Sequence, residues 1–521
     1  MIQLIEYLTN SVLFSNSFYL LMVIISSALT GSVVFFISDK YEKTRITLNL
    51  FGALIKFLFL VIIVTGLYRL ETYEIDWELA KGLQFILRAD SLAMLFAILS
   101  SVLWLVTTVY AIGYFKKENG ENNQHLQRFF GFFSLCITSS IGISFAGNLF
   151  TFLIFYECLT LSTYPLVTHS GTQKAIQAGR KYLALTLSGG LVLLIGTIFL
   201  AVLTGGTYFD QGKNMAHILK STENQLPFKI LFWVLICGVG VKTALVPFHP
   251  WLPTAMVAPA PVSALLHAVA VVKAGAFGII RIIYDVFGVE IYAKTLNLSA
   301  PLVLWASITI IYGSLKALQQ TNIKKRLAYS TVSQLSYITL GVAMAGPITS
   351  IGGLIHLVHQ GLMKITLFFC AGVLQKEEKI NEIKELNGIG KIMPWTMICF
   401  TIGALGMIGV PPVAGFVSKW FLATGALEAE YSYVIWVLIG SSILNAMYFL
   451  PLCYRIWFLP LKSSKTYESN NRQKHKILNN PWLYSPAIIT ALLSLLTGIF
   501  ASHEMSPLSW SIFILTEFYF L

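Results

Sequence analysis

Long apolar runs, one after another, constrain this chain more than any other feature. They begin near residues 17, 47, 91, 128, 149, 180, 229, 262, 299, 326, 349, 394, 432 and 482 of 521. A helix needs about 20 apolar residues to cross a bilayer. In lipid only helices and closed barrels satisfy every backbone N–H and C=O, and runs this long are helices. The expectation is an all-α polytopic membrane protein with about 14 transmembrane helices. Composition agrees, since 56% of residues are hydrophobic and only 12% charged, against about a quarter charged in soluble proteins. The start, MIQLIEYLTNSVLFSNS, has neither the basic region nor the small-residue cleavage site of a signal peptide. The first span is therefore expected to act as its own signal.

A net charge of +12 would suggest nucleic acid in a soluble protein. Here the basic residues gather in odd-numbered loops and read as topology signals, with no nucleic-acid partner. The clusters are Lys40, Lys43 and Arg45; Lys116, Lys117 and Arg128; Lys174, Arg180 and Lys181; Lys324, Lys325 and Arg326; Lys376, Lys379, Lys384 and Lys391; and Lys462, Lys465, Arg472, Lys474 and Lys476. Lys and Arg concentrate on the cytoplasmic side. Both termini are thus expected to face outward, in the plasma (inner) membrane of a prokaryote. Cys136, Cys158, Cys237, Cys370, Cys399 and Cys453 stand in or beside apolar runs. None forms a CxxC or Cys/His cluster, which argues against iron–sulfur, haem or zinc cofactors and for packing.

Two runs are interrupted. Helix 7 breaks at ALVPFHPWLP, with Pro247 and Pro250 just after Lys242, and helix 12 breaks at MIGVPPVAGFVSKW, with Pro411 and Pro412 before Lys419. The two helices are five spans apart, and an odd offset reverses direction through the membrane, as an inverted repeat requires. Interrupted helices at matching positions in two halves mark an ion or substrate pathway near the midplane.

Ionisable residues thread the same region. Glu157 lies about eight residues into helix 5, roughly 12 Å deep at 1.5 Å per residue, and must be paired or protonated there. Lys242, near mid-membrane, is its natural partner. His267 and Lys273 on helix 8 are about 120° apart on a regular helix and can border one hydrated interior. On helix 11, His356, His359, Gln360 and Lys364 follow helical spacing and make one polar stripe, suited to protons or a water wire. Lys419 ends the series. Arg69, Lys316 and Arg455 read as interfacial anchors, and His249 and Trp251 as packing within the helix 7 break. Lys56 in helix 2 has no assigned role. No nucleophile–base constellation, phosphate-binding loop or nucleotide fold is present in the sequence. The chemistry that fits is proton movement. An ion pair at ~4 Å is worth about 4 kcal/mol at an effective dielectric near 20, so moving Glu157 away from Lys242 would prompt the lysine to release its proton.

The stretch KTALVPFHPWLPTAMVAPAPVSALLHAVAVVKAG resembles the signature of the antiporter-like subunits of proton-pumping NADH–quinone oxidoreductase and of Mrp-type multisubunit cation/proton antiporters. NIKKRLAYSTVSQLSY, HQGLMKITLFFCAG and GIGKIMPWTMICFTIGALGMIGVPPVAGFVSKWFLATGALE match as well, and the details look closest to the D-type group of Mrp antiporter subunits. The resemblance implies 14 transmembrane helices. It places one five-helix inverted repeat in residues 128–285 and a second in 286–460, after N-terminal helices in 1–127 and before a loop, helix 14 and short outer tail in 461–521. It implies that Glu157 and Lys242 match the family's acid–lysine pair, and that Lys273, Lys364 and Lys419 match its lysines on helices 8, 11 and 12. His267 and His356 match common histidines. The usual second helix 11 histidine is Gln360 here, with His359 beside it, which leaves the relay order through helix 11 open. The tail SPLSWSIFILTEFYFL is too short for the lateral arm of the longest family members.

Three functions remain open at this point: the proton-translocating subunit of an Mrp-type Na⁺/K⁺:proton antiporter; an antiporter-like subunit of an NADH–quinone oxidoreductase or membrane hydrogenase-type complex; and a proton-conducting subunit of an inorganic carbon uptake complex. Each implies other membrane subunits as partners, and none makes this chain an enzyme by itself.

Overall fold

The computed structural model describes residues 16–69, 71–80, 82–116, 125–221, 224–461 and 479–520. The extreme N-terminal stretch, Lys117, and the basic residues Lys462 to Lys476 lie outside the described residues. Helices begin close to each of the fourteen apolar starts: α1 Asn16–Phe36, α2 Glu42–Leu67, α3 Ser91–Phe115, α4 Leu126–Phe145, α5 Leu149–Val167, α6 Gln173–Thr204, α7 Leu226–Thr243, α8 Ala260–Phe287, α9 Ser299–Leu318, α10 Ile323–Ala343, α11 Pro347–Glu378, α12a Pro394–Ile408 with α12b Ala414–Glu428, α13 Tyr433–Trp457 and α14 Pro481–Ile499. A last helix, α15, spans Pro507–Phe518. Among the described residues, twelve helices are long and apolar enough to cross a membrane. The two segments not in that set are α10, rich in buried Ser, Thr and Gln, and the broken α12a/α12b.

The helical architecture carries one addition that run length does not announce. Residues after α2 form an antiparallel hairpin, β1 Tyr73–Ala80 and β2 Leu83–Ala89. Tyr73, Ile75 and Trp77 alternate with Glu74, Asp76 and Glu78 at the two-residue period of a strand. Trp77 stacks on Phe85 across the pair, with ring centroids 5.9 Å apart. The hairpin is tied to the α4–α5 turn, where Asn148 Nδ2 donates to Gln84 O (2.7 Å) and Ile86 N donates to Thr151 Oγ1 (2.9 Å).

The centre of the bundle is α8 and α11, both wholly enclosed by the rest of the chain. Around them α4, α5, α6 and α7 pack in sequence, as do α9, α10, α11 and α12b, while α3 and α14 close the remaining side. The loops sort by parity. At one end Lys376 Nζ donates to Gly113 O and Tyr114 O, Lys116 Nζ to Asn479 O, His125 N to Asp39, Lys324 Nζ to Ala258 O, and Gly388 N to Arg455 O. At the other end lie the hairpin, the α4–α5 turn, the α8–α9 connection and the start of α15. There Gln211 N donates to Asp285 O, and Tyr292 and Ser299 both donate to Ala343 O. The described basic clusters therefore share one end. Not all of their members are free loop charges, since Lys324 is 8% exposed. It begins α10, and its ammonium supplies a partner for the Ala258 carbonyl.

Candidate functional site

Asn148 caps α5 by accepting from Thr151 N (2.8 Å), which fixes where that helix starts and how deep Glu157 lies. Glu157 is half-buried. Its carboxylate presses on Gly190 of α6, where any side chain would collide with Oε1. Neither carboxylate oxygen has a hydrogen-bond partner among the described residues. Lys242 occupies the last turn of α7 and is fully buried. Its ammonium donates to the backbone carbonyl of Tyr156 and lies 3.3 Å from the centroid of the Tyr156 ring. The two residues are brought within Coulombic range, but the direct ion pair expected from sequence is not made. The carbonyl next to Glu157, not its carboxylate, takes the lysine.

The α7 break leaves carbonyls without helical partners. The Trp251 indole donates to Val241 O (2.7 Å), and Trp305 Nε1 donates to Val246 O (2.6 Å). The broken α12 is closed differently. Lys419, on α12b, reaches back to Ile408 O (2.8 Å) and Met407 O (3.1 Å), the end of α12a, and to Ser442 Oγ (3.1 Å). Gly409, at φ +95°, ends α12a, and a Cβ there would meet the Lys419 stem at 2.8 Å. At the α12 break the Lys419 ammonium thus sits at the C-terminal end of a half-helix, where the helix dipole favours positive charge, whereas Lys242 stands in the last turn of α7 but sends its ammonium across to α5.

Between the breaks runs the central row. Gly275 of α8 packs on the backbone of Lys242, with its Cβ position 2.8 Å from the Lys242 carbonyl carbon. Two residues earlier Lys273 crosses to α11 and donates to Leu357 O (2.5 Å). On α11, His356 Nδ1 bonds Ser418 Oγ (2.8 Å), one residue before Lys419. His356 is within Coulombic range of Lys273, His359 and Lys419, so α11 links the helix 8 lysine to the helix 12 lysine. Lys364 faces α10 instead, donating to Ser330 Oγ and to Leu327 O (3.2 Å). It is within Coulombic range of His267, whose ring stacks on Phe368 at 4.6 Å. Of the eight expected relay residues, seven are buried and Glu157 is half-buried. The 120° offset between His267 and Lys273 does not hold, because Leu265–Val269 is a π-turn, which widens the helix locally and re-aims the side chains that follow. Neither nitrogen of His267, nor the side-chain amides of Gln360 and Gln334, has a hydrogen-bond partner among the described residues. Buried polar atoms without a protein partner are where ordered water is expected.

Sequence reasoning missed a second charged cluster. Arg281 of α8, 1% exposed, donates to Asp90 (2.8 and 2.9 Å) at the start of α3 and to Asp285 (2.7 Å) one turn on. Asp285 also accepts from the Tyr519 hydroxyl (2.8 Å), and Trp510 Nε1 donates to Ser91 O (3.0 Å), so the cluster fastens the C-terminal segment. The i, i+4 spacing of Arg281 and Asp285 at the end of an apolar run was the available signal.

Residues 146–445 match the model of the family described as NADH:quinone oxidoreductase/Mrp antiporter, transmembrane. The chain belongs to that family. It is 34% identical to the NADH-quinone oxidoreductase subunit N of Desulforudis audaxviator over 72% of this chain and 73% of that one. It is 31% identical to a putative antiporter subunit mnhA2 of Staphylococcus epidermidis over 81% of this chain, but spans only 53% of that relative's length. The fold matches a chain of the Mrp complex from Dietzia sp. DQ12-45-1b, with a TM-score of 0.82, 22% identity and 97% and 98% of the two chains covered. It also matches a chain of an archaeal membrane-bound sulfane sulfur reductase, with a TM-score of 0.79 and 22% identity over 95% and 96% of the two chains.

In this family member the Arg281 cluster is expected to be a structural clamp. Arg281→Ala leaves two carboxylates without their cation, a change that typically costs about 3–5 kcal/mol. The thermal unfolding midpoint of the detergent-solubilised protein should fall sharply. Replacing Arg281 by Met together with Asp285 by Leu should recover part of the loss, and no recovery would show that the charge balance is not what the clamp supplies.

Proposed function

We propose that this chain is the proton-translocating membrane subunit of a multisubunit Mrp-type antiporter, exchanging monovalent cations for protons. The observation that carries this reading is the row Glu157–Lys242–Lys273–His356–Lys419. It is a run of titratable side chains threaded through an apolar bundle, with Lys242 borne on the last turn of one half-helix and Lys419 bonded to the end of the other. A lysine releases its proton when the groups favouring its charged form move away, and takes it back when they return. At the breaks those groups are carbonyls and, for Lys242, the Glu157 carboxylate. Small shifts of the half-helices would then pass a proton from Lys242 to Lys273, through His356 to Lys419. Lys364 and His267 flank the row on the α10 side.

Two further features support the assignment. Consecutive helices of α4–α8 pack on one another as do those of α9–α13, and α4 meets α8 as α9 meets α13, which favours the inverted-repeat reading with 14 spans and its boundaries at residues 128–285 and 286–460. Part of Glu157 faces the lateral surface beside the exposed Cys158, although its carboxylate oxygens are buried against Gly190, so a neighbouring membrane protein of the complex packed on α5 and α6 would cover this face. The D-type position of an Mrp complex is the place we assign, on the motifs around Lys242, Lys364 and Lys419. The likeness to an NADH-quinone oxidoreductase subunit N over most of both chains favours, as the second reading, a redox-driven complex of that type. Which proteins co-purify with the tagged chain separates the two: iron–sulfur subunits, or small hydrophobic ones only.

Dye-reported collapse of ΔpH in everted vesicles on adding Na⁺ or K⁺ tests the row. Glu157→Ala and Lys242→Ala should each cut the rate by about tenfold or more, the scale of a lost proton-transfer group, with normal membrane abundance; near-normal rates in both would remove the pathway. Arginine keeps its charge but holds its proton at any working pH. Lys273→Arg and Lys419→Arg should therefore cost nearly as much as Ala, whereas Lys316→Arg at the surface should cost little. Wild-type transport in the first two variants would mean that fixed charge suffices. Finally, we place the end carrying the basic loops in the cytoplasm of a prokaryotic cell and both termini outside. Reporters fused after Lys325 and after Leu521 should report opposite sides, and reporters on one side would refute this topology.

A further inference from the structure

Lys56 sits mid-way along α2, is 0% exposed, and takes no part in the central row. It is eleven residues, about 16 Å of helix, from Arg45 at the basic-loop end. Its ammonium donates to Ser27 Oγ of α1 (2.5 Å) and lies 4.8 Å from the ring centroid of Trp104 on α3. Ser27 Oγ also accepts from Thr138 Oγ1 of α4 (2.9 Å). No carboxylate faces it from any of these helices. Neither α1 nor α3 has a charged residue, α4 has only Arg128 at its start, and α2 adds only Glu42, Lys43 and Arg45 in its first turn. A permanently charged ammonium there would be uncompensated, the arrangement that membrane interiors tolerate least.

Polar side chains line the way from Lys56 to the basic-loop end. Thr30 of α1 packs against Gly52 of α2, one turn below Lys56. Asn49 of α2 accepts from Ser134 of α4 (3.2 Å) and donates to Arg45 O (2.8 Å). Arg45, 2% exposed, pairs at 3.0 Å with Asp39, which is 37% exposed. On the far side, Trp104 Nε1, Ser101 Oγ and Thr108 Oγ1 of α3 are buried without partners among the described residues. That helix packs in turn on the His267 π-turn and on α11.

We propose that Lys56 is a proton-carrying group in a lateral track through the N-terminal helices. The track opens at Asp39 and Arg45, passes Asn49, Ser134 and Thr30, and delivers across α3 to the central row. This rests on the reading that the central row moves protons. The track is a second point of proton capture, so its loss matters most where protons are scarce.

The test uses everted vesicles carrying the whole complex, assayed from about pH 6.5 to about pH 9, the range over which a collecting group becomes limiting. Lys56→Met and Lys56→Arg should transport near the wild-type rate at the acid end. They should fall by about fivefold or more at the alkaline end, Arg because it retains its proton, with complex abundance unchanged. Asn49→Leu, which cuts the track below an intact Lys56, should give the same profile and carries the test if the Lys56 variants fail to assemble. A wild-type pH profile in these variants, or a loss uniform across pH, would overturn the proposal. Lys242→Ala runs alongside: if it too transports normally, the central row has failed and not the lateral track.

Discussion

The middle of a bilayer offers no water to a polar group, so each one placed there must be held by the protein. Most of this structure follows from how the chain answers that demand at two broken helices. A break frees carbonyls, and carbonyls at the end of a half-helix carry negative dipole charge. At the α7 break two indoles, from Trp251 and Trp305, donate to Val241 O and to Val246 O just beyond the helix, and Lys242 reaches across to Tyr156 O on α5. At the end of α12a no indole intervenes, and Lys419 itself takes the carbonyls. The two breaks thus make unlike sites. Lys242 is held by a carbonyl and an aromatic face near a carboxylate, and Lys419 by backbone and a serine.

Much of this is legible in the sequence because lipid imposes one rule on every span. Apolar run length locates the helices, including α12a and α12b on either side of Pro411 and Pro412. The lysines and histidines stand out because each is costly where it lies. What escapes has no such cost signal. The hairpin Tyr73–Ala89 lies outside the spans, where two-residue alternation is the only clue. Arg281 sits near the end of an apolar run, where its i, i+4 spacing to Asp285 is the only local hint, and its other partner, Asp90, is 191 residues away. Lys324 reads as a loop charge because it adjoins Lys325 and Arg326, but one residue of α10, about 100° of helix, separates a buried position from an exposed one.

The Glu157–Lys242 pair shows where spacing stops being informative. Sequence can say that an acid and a lysine share the interior, but not that the lysine chooses a backbone carbonyl over the carboxylate. That choice depends on Gly190, which lets Glu157 lie flat against α6, and on Tyr156, whose ring and carbonyl face α7. The π-turn at Leu265–Val269 is a similar case. Pro259 and Pro261 precede it, yet no residue inside LLHAV forbids an ordinary helix. The turn arises from packing in a fully enclosed segment, and it sets the angle between His267 and Lys273.

These features separate what holds the bundle from what moves within it. The clamps lie at the two ends: Arg281 with Asp90, Asp285 and the C-terminal segment at one, and Lys376 and Asn480 on the Gly113 turn at the other. Each uses full charges or several converging hydrogen bonds. Three of the groups in the middle are held by less. Among the described residues, Lys273 donates to a single carbonyl, His356 bonds one serine, and His267 makes a ring stack but no side-chain hydrogen bond. A proton path needs that asymmetry, because a side chain anchored as firmly as Arg281 could not change partners. On the proposed reading, Lys273, His356 and His267 can change partners readily, whereas Lys419, with three hydrogen bonds to α12a and Ser442, changes partners only if the half-helices of α12 shift.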